Sequence, residues 1–221
     1  MKNILHVLAI DDHVVVLEGY HSIFKSLDTA PFNQLKFIKA IDCKSGYEVI
    51  ENHKLKPFDI AVIDYSIPHY PERRLHNGVD VAMLIRKHMP QCKIIIMTMH
   101  KEMDILARVF RKINPEGFIN KSDCTTDELI AGFGKVLEGE IFHSRIIMDY
   151  LKRMEKGIGL EDIDIRIILL LSKGIKNKNL EKYIPLSASA IEKRKYKMKR
   201  LLDIKGDDEE LIHVARIQGY I

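Results

Sequence analysis

Along the first 140 residues, apolar positions fall into two alternating rhythms. Short runs at 4–10, 35–41, 58–63, 93–98 and 117–120 are rich in Ile, Val and Phe. Four of them are apolar on both faces or nearly so, as strands buried between two helical layers must be. Between the runs, apolar residues recur at helical spacing over about 14–27, 45–53, 78–88, 102–113 and 125–138. Five strand-then-helix units predict an α/β fold with a doubly wound, five-stranded parallel sheet, because parallel neighbours need helical crossovers. Such a sheet binds ligands at the carboxyl ends of its strands.

From about Gly139 the strand rhythm stops. Residues 139–159 hold three glycines and a basic, Met-containing stretch at 149–156, which predicts a partly helical linker. Four helical segments follow at about 161–172, 176–183, 187–202 and 208–218, with turns at Gly174 and at Ile184-Pro185-Leu186. The expected organisation is an α/β domain at 1–138, a linker at 139–159 and a small all-α domain at 160–221. The chain shows neither an internal repeat nor a low-complexity tract.

Charge divides along the same boundary. The formal net charge is +4, but residues 1–150 carry 19 Lys/Arg against 20 Asp/Glu, whereas residues 151–221 carry 16 against 11. A near-neutral domain joined to a basic one points to a polyanion as partner of the second, nucleic acid first. At 221 residues, 46% apolar and 30% charged, the chain can bury a core, which excludes disordered and fibrous classes. No apolar run approaches the roughly 18–20 residues that cross a bilayer, and Met1-Lys2-Asn3-Ile4 does not open a cleavable leader, so a cytoplasmic protein without membrane contact is expected. Cys43, Cys92 and Cys124 are scattered and odd in number, which predicts reduced packing residues rather than disulfides or a zinc site.

The strand ends carry the chemistry. The first strand ends in Asp11-Asp12, the third in Asp64 and the fourth in Thr98, and Lys121 follows the fifth. A sheet that places strands 1, 3, 4 and 5 side by side brings three carboxylates, a hydroxyl and an ammonium to one crevice. Clustered carboxylates with carbonyl and water oxygens suit Mg²⁺, a hard cation. With the cation in place, one carboxylate can attack phosphorus and form an aspartyl phosphate while Lys121 and Thr98 hold phosphoryl oxygens. Any one of these residues is commonplace, an Asp-Asp pair after a strand being most often a solvated loop or a helix cap. All five, in order and on the correct strand ends, are not.

Residues 4–138 resemble the receiver domain of two-component response regulators, a flavodoxin-like fold. The matching pieces are Asp11-Asp12, Asp64 closing Ile60-Ala61-Val62-Ile63, Pro68, Thr98 closing Ile94-Ile95-Ile96-Met97, and Gly117-Phe118-Ile119-Asn120-Lys121. The resemblance implies Asp64 as phosphoacceptor and Asp11 and Asp12 as the metal-binding pair, with Ser66 lending a backbone carbonyl to the metal. It further implies Lys121 as the phosphate-binding lysine, Thr98 as the switch hydroxyl and Phe118 as the switch aromatic. The family usually places a glycine soon after the phosphoacceptor, whereas Gly78 lies fourteen residues beyond Asp64 and leaves an enlarged, basic loop at 69–77.

In the basic region, Ser187 is a helix cap, and on the helix after it Ile191, Met198 and Leu202 share one face with Leu201 at its margin. Lys193, Tyr196, Lys197 and Arg200 share the opposite face, and residues 193–200 contain six basic residues and no acidic one. Charge of one sign over two turns suits phosphates and base edges. Leu160 to Ile204 resembles the LuxR-type helix-turn-helix of the NarL/FixJ class, on Asp164, Gly174-Ile-Lys-Asn-Lys and Ser187 with Ile191. By position, Glu192, Lys193 and Tyr196 would face bases, and Lys178, Lys197 and Arg194 phosphates. The chain departs from the pattern at Glu192, usually Lys, at Arg194, usually His, and at Asp203, often Gly.

The resemblance implies a DNA-binding transcriptional regulator, phosphorylated by a sensor histidine kinase in the presence of Mg²⁺. It would bind double-stranded operator DNA as a homodimer, with the helix at 208–218 as the dimer surface or else packed on the first helix. It would catalyse only its own phosphorylation and dephosphorylation. An alternative is a receiver acting without phosphate through protein contacts. A phosphatase with an aspartate nucleophile would place a second Asp where Ser66 stands.

Overall fold

The computed structural model describes residues 4–30, 32–155, 160–218 and 220–221. The first three residues and positions 156–159 of the expected linker lie outside the described residues. The chain divides into two compact units, Met1–His100 with Arg108–Met148, and Lys101–Ala107 with Asp149–Ile221.

The first unit is built on β1 (Ile4–Ile10), β2 (Gln34–Ala40), β3 (Ile60–Asp64), β4 (Lys93–Thr98), β5 (Gly117–Asn120) and β6 (Phe142–His143). All neighbours are parallel, in the order β2-β1-β3-β4-β5-β6. The order reverses beside β1, so the crevice opens at the carboxyl ends of β1 and β3. The sheet therefore has six strands rather than the expected five and continues past residue 138. Two residues show no periodicity, and β6 exists because backbone groups pair: Phe142 N–H donates to Glu116 O at 2.9 Å and Ser144 N–H to Phe118 O at 3.1 Å.

Helices α1 (Val14–Ser26), α2 (Cys43–Asn52), α3 (Gly78–His88), α4 (Met103–Lys112) and α5 (Thr126–Glu138) follow the first five strands in turn, and α6 (Arg145–Glu155) follows β6. Local chemistry sets their starts. Asp42 and Ser45 form a reciprocal capping box on α2, which begins it earlier than the apolar pattern suggested, and Thr125 and Glu128 do the same on α5. Gly139, at φ 96°, ends α5. On one sheet face Tyr20 and Phe24 of α1 meet Phe133 of α5, with ring centroids 5.7 and 5.3 Å apart, over Val7, Val62, Ile95 and Ile119. Cys43 and Cys92 are buried and none of the three cysteines is joined in a disulfide, as expected of packing residues.

Gly78 explains the displaced glycine. A Cβ there would lie 2.0 Å from the backbone oxygen of Asp64, and Gly78 N–H donates to Tyr65 O at 3.0 Å. The enlarged loop closes on itself before it: Tyr70 and Leu75 exchange backbone hydrogen bonds of 2.7 and 3.1 Å around a 3-10 turn at Pro71–Arg73. The chain thus returns glycine to the position where α3 approaches the end of β3.

The second unit contains α7 (Asp162–Ser172), α8 (Ala188–Leu201) and α9 (Asp208–Ile217). The segment expected as a helix at 176–183 is a 3-10 helix, Asn177–Lys182. Confined between Gly174, at φ 79°, and Pro185, it has too few residues to propagate an α-helix. Ile191 and Met198 of α8, and Leu202 just past its end, are buried with Leu180 and Leu211, as the face pattern required. Asp203 adopts φ 53°, the left-handed conformation that explains a preference for glycine there. α9 packs on α7 through Leu211 and Ala215, leaving Ile217 exposed.

Replacing Gly78 by Ala forces backbone to move against the Asp64 carbonyl. We expect chemical denaturation of Gly78→Ala to show a loss of about 1–3 kcal/mol in the first unit, the usual cost of overpacking.

Candidate functional site

The crevice at the strand ends is organised around an ammonium group. Lys121 Nζ lies 2.7 Å from Asp11 Oδ2 and 2.6 Å from Asp64 Oδ1. Asp11 is fully buried at the end of β1 and Asp64 nearly so at the end of β3, while the Lys121 side chain is 21% exposed in the loop after β5. The remaining carboxylate oxygens accept backbone hydrogen bonds, Asp11 Oδ1 from His13 at 3.0 Å and Asp64 Oδ2 from Ser66 at 2.9 Å. Burial, helped by the Asp11 charge, holds the Asp64 carboxyl above the ordinary range against the opposing pull of Lys121. Burial depresses Lys121, but its bonds to Asp11 and Asp64 outweigh that and keep the ammonium above its usual pKa.

The other expected residues stand on or just after β1, β3, β4 and β5. Asp12 is solvent-facing, and Ser66, two residues beyond Asp64, is exposed. Thr98 is 1% exposed at the end of β4, and its hydroxyl accepts from His100 N–H at 3.0 Å. Phe118 is fully buried on β5, edge-on to Phe110 of α4 at 5.4 Å. Asp11, Asp12 and Asp64 offer carboxylate oxygens of the kind a hard divalent cation takes, with the Ser66 carbonyl as a further candidate.

Three residues at this site escaped the sequence reading. His13 Nδ1 sits 2.8 Å from Asp12 Oδ1 and 3.3 Å from Asp11 Oδ1, so Asp11, Asp12 and His13 present ligand atoms within 4.8 Å of one another. Its position directly after the Asp pair was the available signal. His100 bridges to Ser66 Oγ at 3.1 Å, and Asn120, fully buried, donates from Nδ2 to His100 O at 2.7 Å. These depend on loops meeting in space, which no spacing in the chain announces.

In the second unit, α8 begins at Ser187, whose hydroxyl accepts from Ala190 N–H at 3.3 Å. Lys193, Tyr196, Lys197 and Arg200 lie outward as expected, with Tyr196 73% exposed, and Lys178 and Glu192 are exposed too. The unbroken positive run is nevertheless largely balanced from other segments. Arg194 reaches Asp164 at 2.9 Å and Glu161 at 3.0 Å, Lys197 reaches Glu161 at 3.1 Å, and Lys199 reaches Asp208 at 3.0 Å. Arg194 is therefore turned to the protein, with a buried carboxylate as its partner, rather than outward to a phosphate. Among the described residues Lys193 and Arg200 have no ion-pair partner, and no helix is long and apolar enough to cross a membrane.

Removing the bridging ammonium leaves two buried carboxylates uncompensated. Lys121→Met should lower the metal-free unfolding free energy by about 3–5 kcal/mol in a denaturant titration. In the second unit, Arg194→Ala should cost about 1.5–3 kcal/mol in the same measurement, because Asp164, 1% exposed, loses a charged hydrogen bond.

Comparison with known proteins agrees with this geometry. The chain is 23% identical over 224 residues to the response regulator UvrY of Escherichia coli (strain K12), covering 97% of this chain and 95% of that one. The fold is shared with RcsB in a two-component response regulator RcsB-DNA complex, at TM-score 0.63, 19% identity and 98% coverage of both chains. It is shared also with RcsB in a structure of two RcsB dimers bound to two parallel DNAs, at TM-score 0.64, 19% identity and 98% coverage of both. Residues 7–132, which carry Asp11, Asp64, Thr98 and Lys121, match the response regulator receiver domain. This chain belongs to that family of response regulators, and its two-part architecture is that of the NarL/FixJ class.

Proposed function

We propose that the chain is a DNA-binding transcriptional regulator in which Asp64 accepts a phosphoryl group from a sensor histidine kinase. The observation that carries the reading is the Lys121 ammonium seated between Asp11 and Asp64. Asp64 Oδ1, Asp11 Oδ2 and a cation already converge at the point where an incoming phosphoryl group needs charge neutralised. The oxygen donors of Asp11, Asp12, Asp64 and Ser66 fit Mg²⁺, which when bound supplies further charge neutralisation there.

In this reading the Asp64 carboxylate attacks phosphorus as the phosphohistidine bond of the kinase breaks, and no other substrate is turned over. Lys121 exchanges its bond to Asp64 for one to a phosphoryl oxygen. Thr98 donates its hydroxyl to another and draws the loop after β4 with it, which frees space that the buried Phe118 ring can enter. The result is a shift between two populated states rather than a new structure.

The second unit would bind operator DNA through α8, with Lys193, Tyr196 and Arg200 toward the groove and Lys178, Ser187 and Lys197 toward the backbone. The RcsB-DNA complex that shares this fold supports the assignment. A single small helix-turn-helix binds two half-sites as a dimer, so a homodimer is the expected DNA-bound form.

Incubation with acetyl phosphate and Mg²⁺, followed by intact mass and duplex-DNA retention, tests the reading. Wild type should gain one phosphoryl group and bind DNA more tightly. Asp64→Asn should do neither. Equal mass gain in the variant, or none in wild type, would refute Asp64 as phosphoacceptor.

A further inference from the structure

The basic run on α8 contains one lysine that cannot serve a DNA backbone. The Lys195 side chain is 5% exposed. An ammonium has three hydrogens, and three oxygens surround this one: Glu192 Oε1 at 3.0 Å, Asn177 Oδ1 at 3.0 Å and Asp208 Oδ2 at 2.6 Å. Asn177 Nδ2 also donates to Asp208 Oδ2 at 2.8 Å, and Lys199 pairs with Asp208 Oδ1 at 3.0 Å. The 3-10 helix, α8 and α9 thus meet at an ammonium whose donors are all used.

Glu192 is unlike the other two acceptors. Its side chain is 59% exposed, and it stands one turn before Lys195 near the start of α8, adjacent in sequence to outward Lys193 and one turn before Tyr196. Lys195 holds Oε1, and among the described residues Oε2 has no partner. The side chain is therefore fixed at one oxygen and presents the other. Near a polyanion, a carboxylate is repelled by phosphates, and what it can accept from is a donor on a base edge. The first turns of a recognition helix are the part that reaches such edges. In the major groove the exposed base donors are the amino groups of cytosine and adenine. Adenine sets its N7 acceptor beside the amino group, where it opposes a carboxylate; cytosine offers the amino donor alone.

We propose that Glu192 reads the N4 amino group of a cytosine in each DNA half-site, and that buried Lys195 is its positioning residue. The inference rests on the DNA-binding reading above. Holding the glutamate in one arrangement before DNA arrives removes rotamer entropy that binding would otherwise have to overcome. It also makes a net-acidic residue tolerable on a basic face, since Lys195 compensates its charge from below.

The test is selection from a random duplex pool by the full-length protein, treated with acetyl phosphate and Mg²⁺. Wild type is compared with Glu192→Ala, Glu192→Gln and Lys195→Met, with thermal unfolding recorded for each. Wild type should enrich a half-site with one cytosine position that Glu192→Ala relaxes by roughly five- to hundredfold. Glu192→Gln should move that position toward adenine, whose amino group and N7 a carboxamide bonds together. Lys195→Met should relax the same position and leave the others intact. Glu192→Ala is exposed and keeps the test decisive if Lys195→Met unfolds.

A cytosine position insensitive to Glu192→Ala, an adenine in its place in the wild-type site, or a uniform gain in affinity across all sequences would overturn the inference while DNA binding stands. Absence of any DNA binding by wild type would instead remove the reading beneath it.

Discussion

The contact on which the first unit depends is one ammonium between two buried carboxylates. Asp11, Asp64 and Lys121 arrive from β1, β3 and the loop after β5, so their meeting requires the crossover order of the sheet. Two buried acids at this distance would repel without a cation, and a buried lysine without them would lose its proton more readily. Each group makes the others tolerable. The same arrangement leaves the site short of positive charge for one more anion and explains why burial raises Asp64 while Lys121 restrains it. Gly78 serves this contact from behind, since only a residue without Cβ fits against the Asp64 carbonyl.

The loop that carries Lys121 is also anchored on its far side. Asn120 N–H donates to Ser144 Oγ at 2.9 Å, and Asp123 Oδ2 accepts from Ile146 N–H at the start of α6. The segment expected as a partly helical linker is therefore bonded to the residues flanking Lys121. Phe118 pairs with His143 across β5 and β6, and Phe110 lies edge-on to both rings, at 5.4 and 5.3 Å. The pocket loop and the segment around the sixth strand are thus hydrogen-bonded and packed neighbours.

In the second unit, tertiary pairing changes the meaning of charge. Six basic residues on α8 read as one positive surface in the sequence, yet Arg194, Lys195, Lys197 and Lys199 each meet a carboxylate. Asp208 gathers two of them, and its carboxyl stays below the ordinary range because Lys195, Asn177 and Lys199 outweigh the effect of its burial. The net positive charge of the last third remains, but it is presented by fewer side chains than the run suggests. Glu192, a departure from the family pattern, acquires a partner inside the same network.

The sequence by itself determined the strand-helix alternation, the acidic and basic residues at the strand ends, the core face of α8 and the two-domain division, because periodicity and capping are local properties. One departure it flagged has a local cause, Asp203 in a left-handed conformation, whereas Gly78 answers to the Asp64 carbonyl fourteen residues before it. Only the tertiary structure decided the sixth strand, which has two residues and rests on backbone pairing alone. It alone decided that His13 and His100 join the pocket, that Arg194 faces Asp164, and that Lys195 is buried. Charge along a chain shows which groups are present. Which of them neutralise one another is fixed by distances between segments far apart in sequence, and those distances exist only once the segments have packed.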